Sequence, residues 1–296
     1  MPEGLRSPTV YTPKTITEAV QLKLKNHDAK FWAGGTYIMS RPNFYPNPEQ
    51  QDIISLSSIQ DLFRIYHADR YLEAGTMVTI QQLLTMGNFI FTGELSDAIN
   101  NIGSSIIKNQ ATIGGALCTD DIRFTLSCIM ATLNAQAELR MVSKSNSTKW
   151  VPVAKLYDRN GNFIYADTAL VTRIRIPTDI ATQYQFISRT LDSPMLNPSK
   201  AVIFGLRYNI NQGVISSPNL CIILPDSCFY MSQDFDNLLS TVSFPITNER
   251  SGKIAKRLVA ELSLSIRQNS NPLQIERAAR LLDVILNEMN TTYLAG

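Results

Sequence analysis

Histidine, and cysteine in metal-binding spacing, are what this chain has least of. Its only histidines are His27 and His67, and its four cysteines are Cys118, Cys128, Cys221 and Cys228. No two cysteines stand in C-x-x-C spacing, which argues against an iron–sulfur centre or a zinc site built from this chain alone. Two histidines assemble no Ser-His-Asp or Cys-His catalytic set. The cysteines read as buried thiols of a reducing compartment. No apolar run approaches the roughly 20 residues of a membrane span, and Met1-Pro2-Glu3-Gly4 lacks the basic start and apolar stretch of a secretory signal, so a cytoplasmic location is expected. An excess of one charge is missing too. The formal net charge of +2 gives no electrostatic reason to invoke nucleic acid or an acidic membrane. The densest basic group, Lys253, Lys256 and Arg257, reads as a solvated helix face. G-x-G-x-x-G is absent, and with it a Rossmann site.

What is present is an ordinary globular composition, 44% hydrophobic and 18% charged, over 296 residues, enough for two or three subdomains. Two glycine pairs stand out, Ala33-Gly34-Gly35-Thr36 and Thr112-Ile113-Gly114-Gly115, each after a β-like run. A Gly-Gly bend lets main-chain N–H groups approach an anion with no Cβ in the way. Two such bends could converge on the two phosphates of one dinucleotide.

The surrounding pattern is mixed. Thr15-x-x-Glu18 is a capping box opening a helix whose Ile16, Val20 and Leu24 share a face. Lys30–Trp32 and Asp52–Leu56 read as strands around an irregular stretch from Arg41 to Pro48, making a βαββ-like unit. Tyr71–Ala74 predicts a strand ending at Gly75, and Thr79-x-x-Gln82 a second capped helix. Leu95, Ala98, Ile99 and Ile102 form a helical stripe stopped by Gly103. A helix carrying Leu126, Ile129, Met130 and Leu133 precedes two strands. In the first, Ala137, Leu139 and Met141 alternate with polar residues as in a half-buried strand; the second runs from Leu170 to Ile176. Beyond a boundary near 177–180, three strands are expected (Lys200–Tyr208, Val214–Ser216 and Leu220–Leu224), the first two joined at Asn211-Gln212-Gly213. Two helices close the chain, the second capped by Asn271-Pro272.

Read with their flanks, these segments resemble the FAD-binding (medium) subunit of molybdenum hydroxylases, the carbon monoxide dehydrogenase and xanthine dehydrogenase family. Ala33–Thr36 is similar to its first phosphate loop, and Gln110–Gly115 to its second. Asp52–Leu56, Ala74-Gly75-Thr76-Met77-Val78-Thr79, Ile174–Pro177 and Phe244–Gly252 match its flanking segments. The resemblance implies an α+β chain of the PCMH type: two FAD-binding α/β subdomains, 1–56 and 57–178, then an α+β C-terminal domain, 179–296, of a three-stranded sheet and helices. It implies FAD as cofactor, held by Ala33, Gly34, Gly35, Thr36, Tyr37, Ile38, Ala111, Thr112, Gly114, Gly115, Ala116, Cys118, Thr125, Val171 and Phe186. It further implies a [2Fe–2S] subunit and a molybdopterin-binding subunit as partners, with electrons passed from the clusters to FAD and on to NAD or another acceptor.

Four positions depart from the family pattern. Ala116 takes the place of an Asn, Thr125 of a carboxylate facing the adenosine ribose, Phe186 of a lysine near the isoalloxazine, and Tyr37 of an Asp. Asp120 and Asp121 offer replacement acceptors, or a helix cap. The departures leave open a relative that keeps the fold as a structural or assembly subunit with weak or no flavin binding. A free-standing flavin reductase would need a proton-donating acid near the flavin-facing segments, and none is evident.

Overall fold

The computed structural model describes residues 9–40, 52–87, 91–119, 122–143, 145, 147–158, 161–179, 184–225, 229–265 and 271–295. The stretch from 41 to 48, Asp120-Asp121 and Cys228 lie outside them.

The N-terminal unit is a three-stranded parallel sheet, β1 (Val10–Tyr11), β2 (Lys30–Trp32) and β3 (Ile53–Ser55), in the order β1-β3-β2. α1 (Ile16–Lys25) starts where Thr15 Oγ1 accepts the Glu18 N–H at 3.1 Å. The Glu18 carboxylate reaches one residue beyond the usual box, to the Lys14 N–H at 2.7 Å. The buried face of α1 is Ala19, Val20 and, against its sequence character, Lys23. That ammonium donates to the carbonyls of His27 and Ala29 and to Asp167, at 2.6, 3.0 and 3.0 Å, so its burial leaves no donor unmet. Immediately after the first glycine pair comes α2 (Thr36–Ser40), a helix that the sequence pattern does not announce.

A five-stranded antiparallel sheet follows, ordered β4-β5-β8-β6-β7, from β4 (Ile65–His67), β5 (Tyr71–Gly75), β6 (Gln136–Met141), β7 (Thr148–Pro152) and β8 (Ala169–Pro177). Five helices accompany it: α3 (Ile80–Gly87), α4 (Gly93–Asn100), α5 (Ser105–Gln110), α6 (Ile113–Leu117) and α7 (Thr125–Thr132). The Thr79–Gln82 box closes in both directions, at 2.9 and 3.2 Å. The expected half-buried strand is corrected. β6 lies between β8 and β7, and Glu138 is buried beside Ala137 and Leu139. Its carboxylate accepts from Thr172 Oγ1 at 2.6 Å and pairs with Arg173 at 3.4 Å, which makes the burial tolerable.

The last sheet has four strands, not three, in the order β12-β11-β10-β9: β9 (Gln185–Leu191), β10 (Val202–Asn211), β11 (Val214–Ile223) and β12 (Phe229–Tyr230). Val214–Ser216 and Leu220–Leu224 belong to one strand, because an irregularity in the β10–β11 register absorbs the break between them. The hairpin turn holds, with Gln212 and Gly213 at φ 51° and 77°. α8 (Gln233–Leu239), α9 (Asn248–Ser265) and α10 (Pro272–Ala295) complete the chain. Phe204, Leu206, Leu258, Leu282 and Ile285 form a core here, separate from the one under the five-stranded sheet.

Candidate functional site

Both glycine pairs reach one place, by different means. After Trp32 the chain turns at Gly35, whose φ of 69° is left-handed, and enters α2, with the Met39 N–H on the Gly35 carbonyl at 2.9 Å. Among the described residues the main-chain N–H groups of Gly34, Gly35, Thr36 and Ile38 donate to no protein acceptor. A Cβ on Gly34 would collide with the Gln110 carbonyl and stand 3.4 Å from Thr112 Cγ2. The first loop therefore packs directly on the second.

The second pair corrects the expectation of a matching bend. Gly114 and Gly115 lie inside α6, not at a strand end. Its opening N–H groups are already taken: Ile113 by the Val78 carbonyl at 3.0 Å, Gly114 by the Thr76 carbonyl at 2.9 Å, and Gly115 by Thr112 Oγ1 at 3.1 Å. Gly114 is glycine because a Cβ would lie 2.5 Å from Thr76 Cβ. Gly115 is exposed, and its Cβ would enter the gap between the loops, 3.9 Å from Ala33 Cβ. The Thr112 hydroxyl accepts from Gly115 and keeps its own hydrogen to donate.

The loops open on a cleft of about 1230 Å³, larger than the about 300–1,000 Å³ of ordinary small-ligand pockets and suited to a long ligand. Its walls are largely apolar, with Ile38, Leu56, Ile102, Phe163 and Leu170 among them. Tyr37 and Phe124, both lining it, meet edge to face with ring centroids 5.6 Å apart. Lys30 and Arg189 supply positive charge, partly answered by Asp167 at 3.8 Å and Glu288 at 3.4 Å, and Asp192 is paired with Arg277 at 2.8 Å. Open amides, a free hydroxyl hydrogen, two cations and a space that a Cβ on Gly115 would invade fit a diphosphate joining two ring systems.

Of the fifteen residues singled out in the sequence, fourteen line this cleft, and Phe186 does not. Phe186 is a correction. It is 3% exposed and belongs to the hydrophobic core under the five-stranded sheet. β9 meets the cleft further along, through Ser188, Arg189 and Thr190. Thr125 does face the cleft, with its hydroxyl 3.1 Å from that of Thr190. The sequence reading passed over Lys30 and the turn at Asp192–Met195. Asp192-Ser193-Pro194 carries turn chemistry that marks such a segment.

Residues 6–179 match the family model described as the FAD binding domain in molybdopterin dehydrogenase. The chain belongs to that family. FAD is accordingly the cofactor of this molybdopterin-dehydrogenase flavoprotein. Solved structures share the fold over nearly the whole chain. Quinoline 2-oxidoreductase from Pseudomonas putida 86 aligns at TM-score 0.73 and 16% identity, covering 98% of this chain and 99% of that one. Carbon monoxide dehydrogenase from Hydrogenophaga pseudoflava gives TM-score 0.76 at 17% identity, over 96% and 97%. The enzyme from Oligotropha carboxidovorans gives 0.74 at 18%, over 97% of each chain. No curated protein sequence matches this one.

Proposed function

We propose that this flavoprotein is the electron-transfer subunit of a molybdenum hydroxylase complex, in which residues 1–56 and 57–178 hold FAD and 179–296 form the C-terminal domain. Its partners are a [2Fe–2S] subunit and a molybdopterin-binding subunit, and it works in the cytoplasm. Among the described residues no helix is long and apolar enough to cross a membrane, and none of their His, Cys, Asp or Glu side chains gather into a metal site. On this reading the iron and molybdenum chemistry belongs to the partners. FAD, when bound, supplies a two-electron store that can hand a hydride to NAD or pass electrons to another acceptor.

The observation that carries this reading is the cleft between the glycine loops, with its open first-loop amides. The chain's own residues bind and orient. The Gly34, Gly35, Thr36 and Ile38 amides and the Thr112 hydroxyl address the diphosphate, Lys30 and Arg189 add charge, and the apolar walls keep water from the rings.

One observation favours a second reading. The N-terminus of α6 is internally satisfied, which supports a diphosphate held by one loop and weak flavin retention, as in a structural or assembly subunit. A visible spectrum of the purified chain, followed by FAD titration, separates the two. Stoichiometric uptake, with bleaching on mixing with a pre-reduced [2Fe–2S] partner, is expected for the electron-transfer subunit. A colourless chain that takes up no added FAD refutes it.

A further inference from the structure

The cleft has a third wall, contributed by the segment that leaves β9, and its anchoring is unusual. Asp192 follows that strand with φ 59°, a left-handed turn that Asp, like Asn, adopts more readily than most residues with a Cβ. Arg277 of α10 holds its carboxylate. Its Nη2 donates to Asp192 Oδ2 at 2.8 Å, while Nη1 donates to the Lys200 carbonyl at 3.0 Å and to Gln274 Oε1 at 2.8 Å. One guanidinium thus fixes both ends of the stretch from Asp192 to Lys200. Within it, the Asn197 N–H bonds the Ser193 carbonyl at 2.8 Å, and the Leu196 N–H bonds Ser193 Oγ at 3.3 Å, folding the segment on itself.

The folded segment touches the site. Ser193, Pro194 and Met195 line the cleft, and Met195 Sδ lies 3.8 Å from Ser40 Oγ at the end of α2, the helix that follows the first glycine loop. The same α10 reaches a second cleft residue, Arg189, through Glu288 at 3.4 Å. An isolated surface ion pair contributes little. The Asp192–Arg277 pair differs, because both side chains are about two-thirds buried, at 30% and 31% exposure, and the arginine spends three hydrogen bonds on one segment and its own helix.

We propose that Asp192 and Arg277 are positioning residues for the cofactor: α10 braces the segment from Asp192 to Lys200 against the cleft, and breaking the brace speeds FAD loss while the chain stays folded. The proposal rests on the FAD reading above. It places a control on flavin retention in the last helix, far in sequence from either glycine loop.

The test compares Asp192→Asn, Arg277→Gln and the double variant in the full chain. Asn tolerates the left-handed backbone, so Asp192→Asn removes charge without adding backbone strain. FAD release from the loaded proteins is followed by flavin fluorescence after dilution. Release about fivefold faster is expected in Asp192→Asn and at least as fast in Arg277→Gln, which also loses the bond to the Lys200 carbonyl, and the double variant should release no faster than Arg277→Gln, since both break the Asp192–Arg277 pair. Raising salt should quicken release from the wild type more than from the variants, in which Lys30 and Arg189 still respond to screening. The melting temperature of cofactor-free Asp192→Asn should stay within about 2 °C of wild type. Release at the wild-type rate in both single variants overturns the proposal, as does a double variant whose effect is the product of the two. A wild type that takes up no FAD overturns the FAD reading itself, and this inference with it.

Discussion

Adding one methyl group at each of two glycines should separate structural from ligand-facing roles in the loops. At Gly34 the new Cβ would collide with the Gln110 carbonyl, a backbone atom that cannot swing aside, and would also press on Thr112 Cγ2 at 3.4 Å. Such overpacking typically costs about 1–3 kcal/mol. At about 2–4 °C per kcal/mol for a chain of this order, Gly34→Ala should lower the melting temperature by roughly 3–10 °C even without cofactor. At Gly115 the Cβ meets Thr112 Oγ1 at 3.0 Å and otherwise projects toward Ala33 Cβ at 3.9 Å, so a few tenths of an ångström of give suffices. Alanine also gains about 0.5–1 kcal/mol over glycine inside a helix. Gly115→Ala should therefore melt at or slightly above wild type, yet bind FAD at least about tenfold more weakly, a loss of about 1.4 kcal/mol from crowding a diphosphate. Differential scanning calorimetry of the cofactor-free proteins and FAD titration by fluorescence quenching read the two effects apart. Equal FAD affinity in Gly115→Ala and wild type would show that the gap between the loops does not receive the phosphates. An unchanged melting temperature in Gly34→Ala would show that the two loops do not pack as described.

Three further outcomes are expected. Burial raises the Asp236 carboxyl to about 6, opposed by its bond from the Leu220 N–H and by the Arg207 charge. A carboxyl raised above its unfolded value binds extra protons in the native state, so this contribution is full below about pH 4 and is lost as pH rises through about 6; thermal melts at pH 5 and 7.5 should converge in Asp236→Asn. Phe186→Lys should cost about 3 kcal/mol or more by driving a charge into the core, without changing the flavin's absorption or affinity in whatever protein remains folded, which chemical denaturation and titration check. Thr125→Asp should tighten FAD binding several-fold by placing a charged acceptor in the cleft; isothermal titration showing no gain would mean that position 125 faces no ribose hydroxyl.

What the sequence made legible is mostly what short-range chemistry decides. The capping residues at Thr15, Thr79 and Asn271 and the hairpin at Gln212-Gly213 all depend on neighbours within four positions, whereas the helix expected to stop at Gly103 already ends at Asn100. Burial decided by distant partners was hidden. Lys23 and Glu138 look like surface residues until Asp167, Thr172 and Arg173 arrive from far along the chain. The cleft-lining set was legible through the family resemblance, apart from Phe186. A one-residue uncertainty in aligning a strand turns a side chain to the opposite face, and Phe186 lies on the core face of β9. α2 and α6 were missed because five-residue helices carry too few positions for a 3.6-residue period to show.

The two glycine pairs look alike in sequence and do different work, and this difference bears on how the cofactor is held. In the first loop, glycine removes a Cβ so that the loop can settle on Gln110, and the N–H groups of Gly34, Gly35, Thr36 and Ile38 donate to no acceptor among the described residues. In the second, Thr76, Val78 and Thr112 use the amides to anchor α6 against the strand-to-helix segment that follows β5. Satisfying those donors stabilises the apo chain, because buried N–H groups left unpaired would cost about 1–3 kcal/mol each. The same satisfaction takes them away from a diphosphate, unless the Thr112 hydroxyl relays the contact by donating its hydrogen. A ligand held mainly by one set of amides leaves more readily than one held by two. The remaining grip must then come from the cleft walls, which include the segment braced from α10.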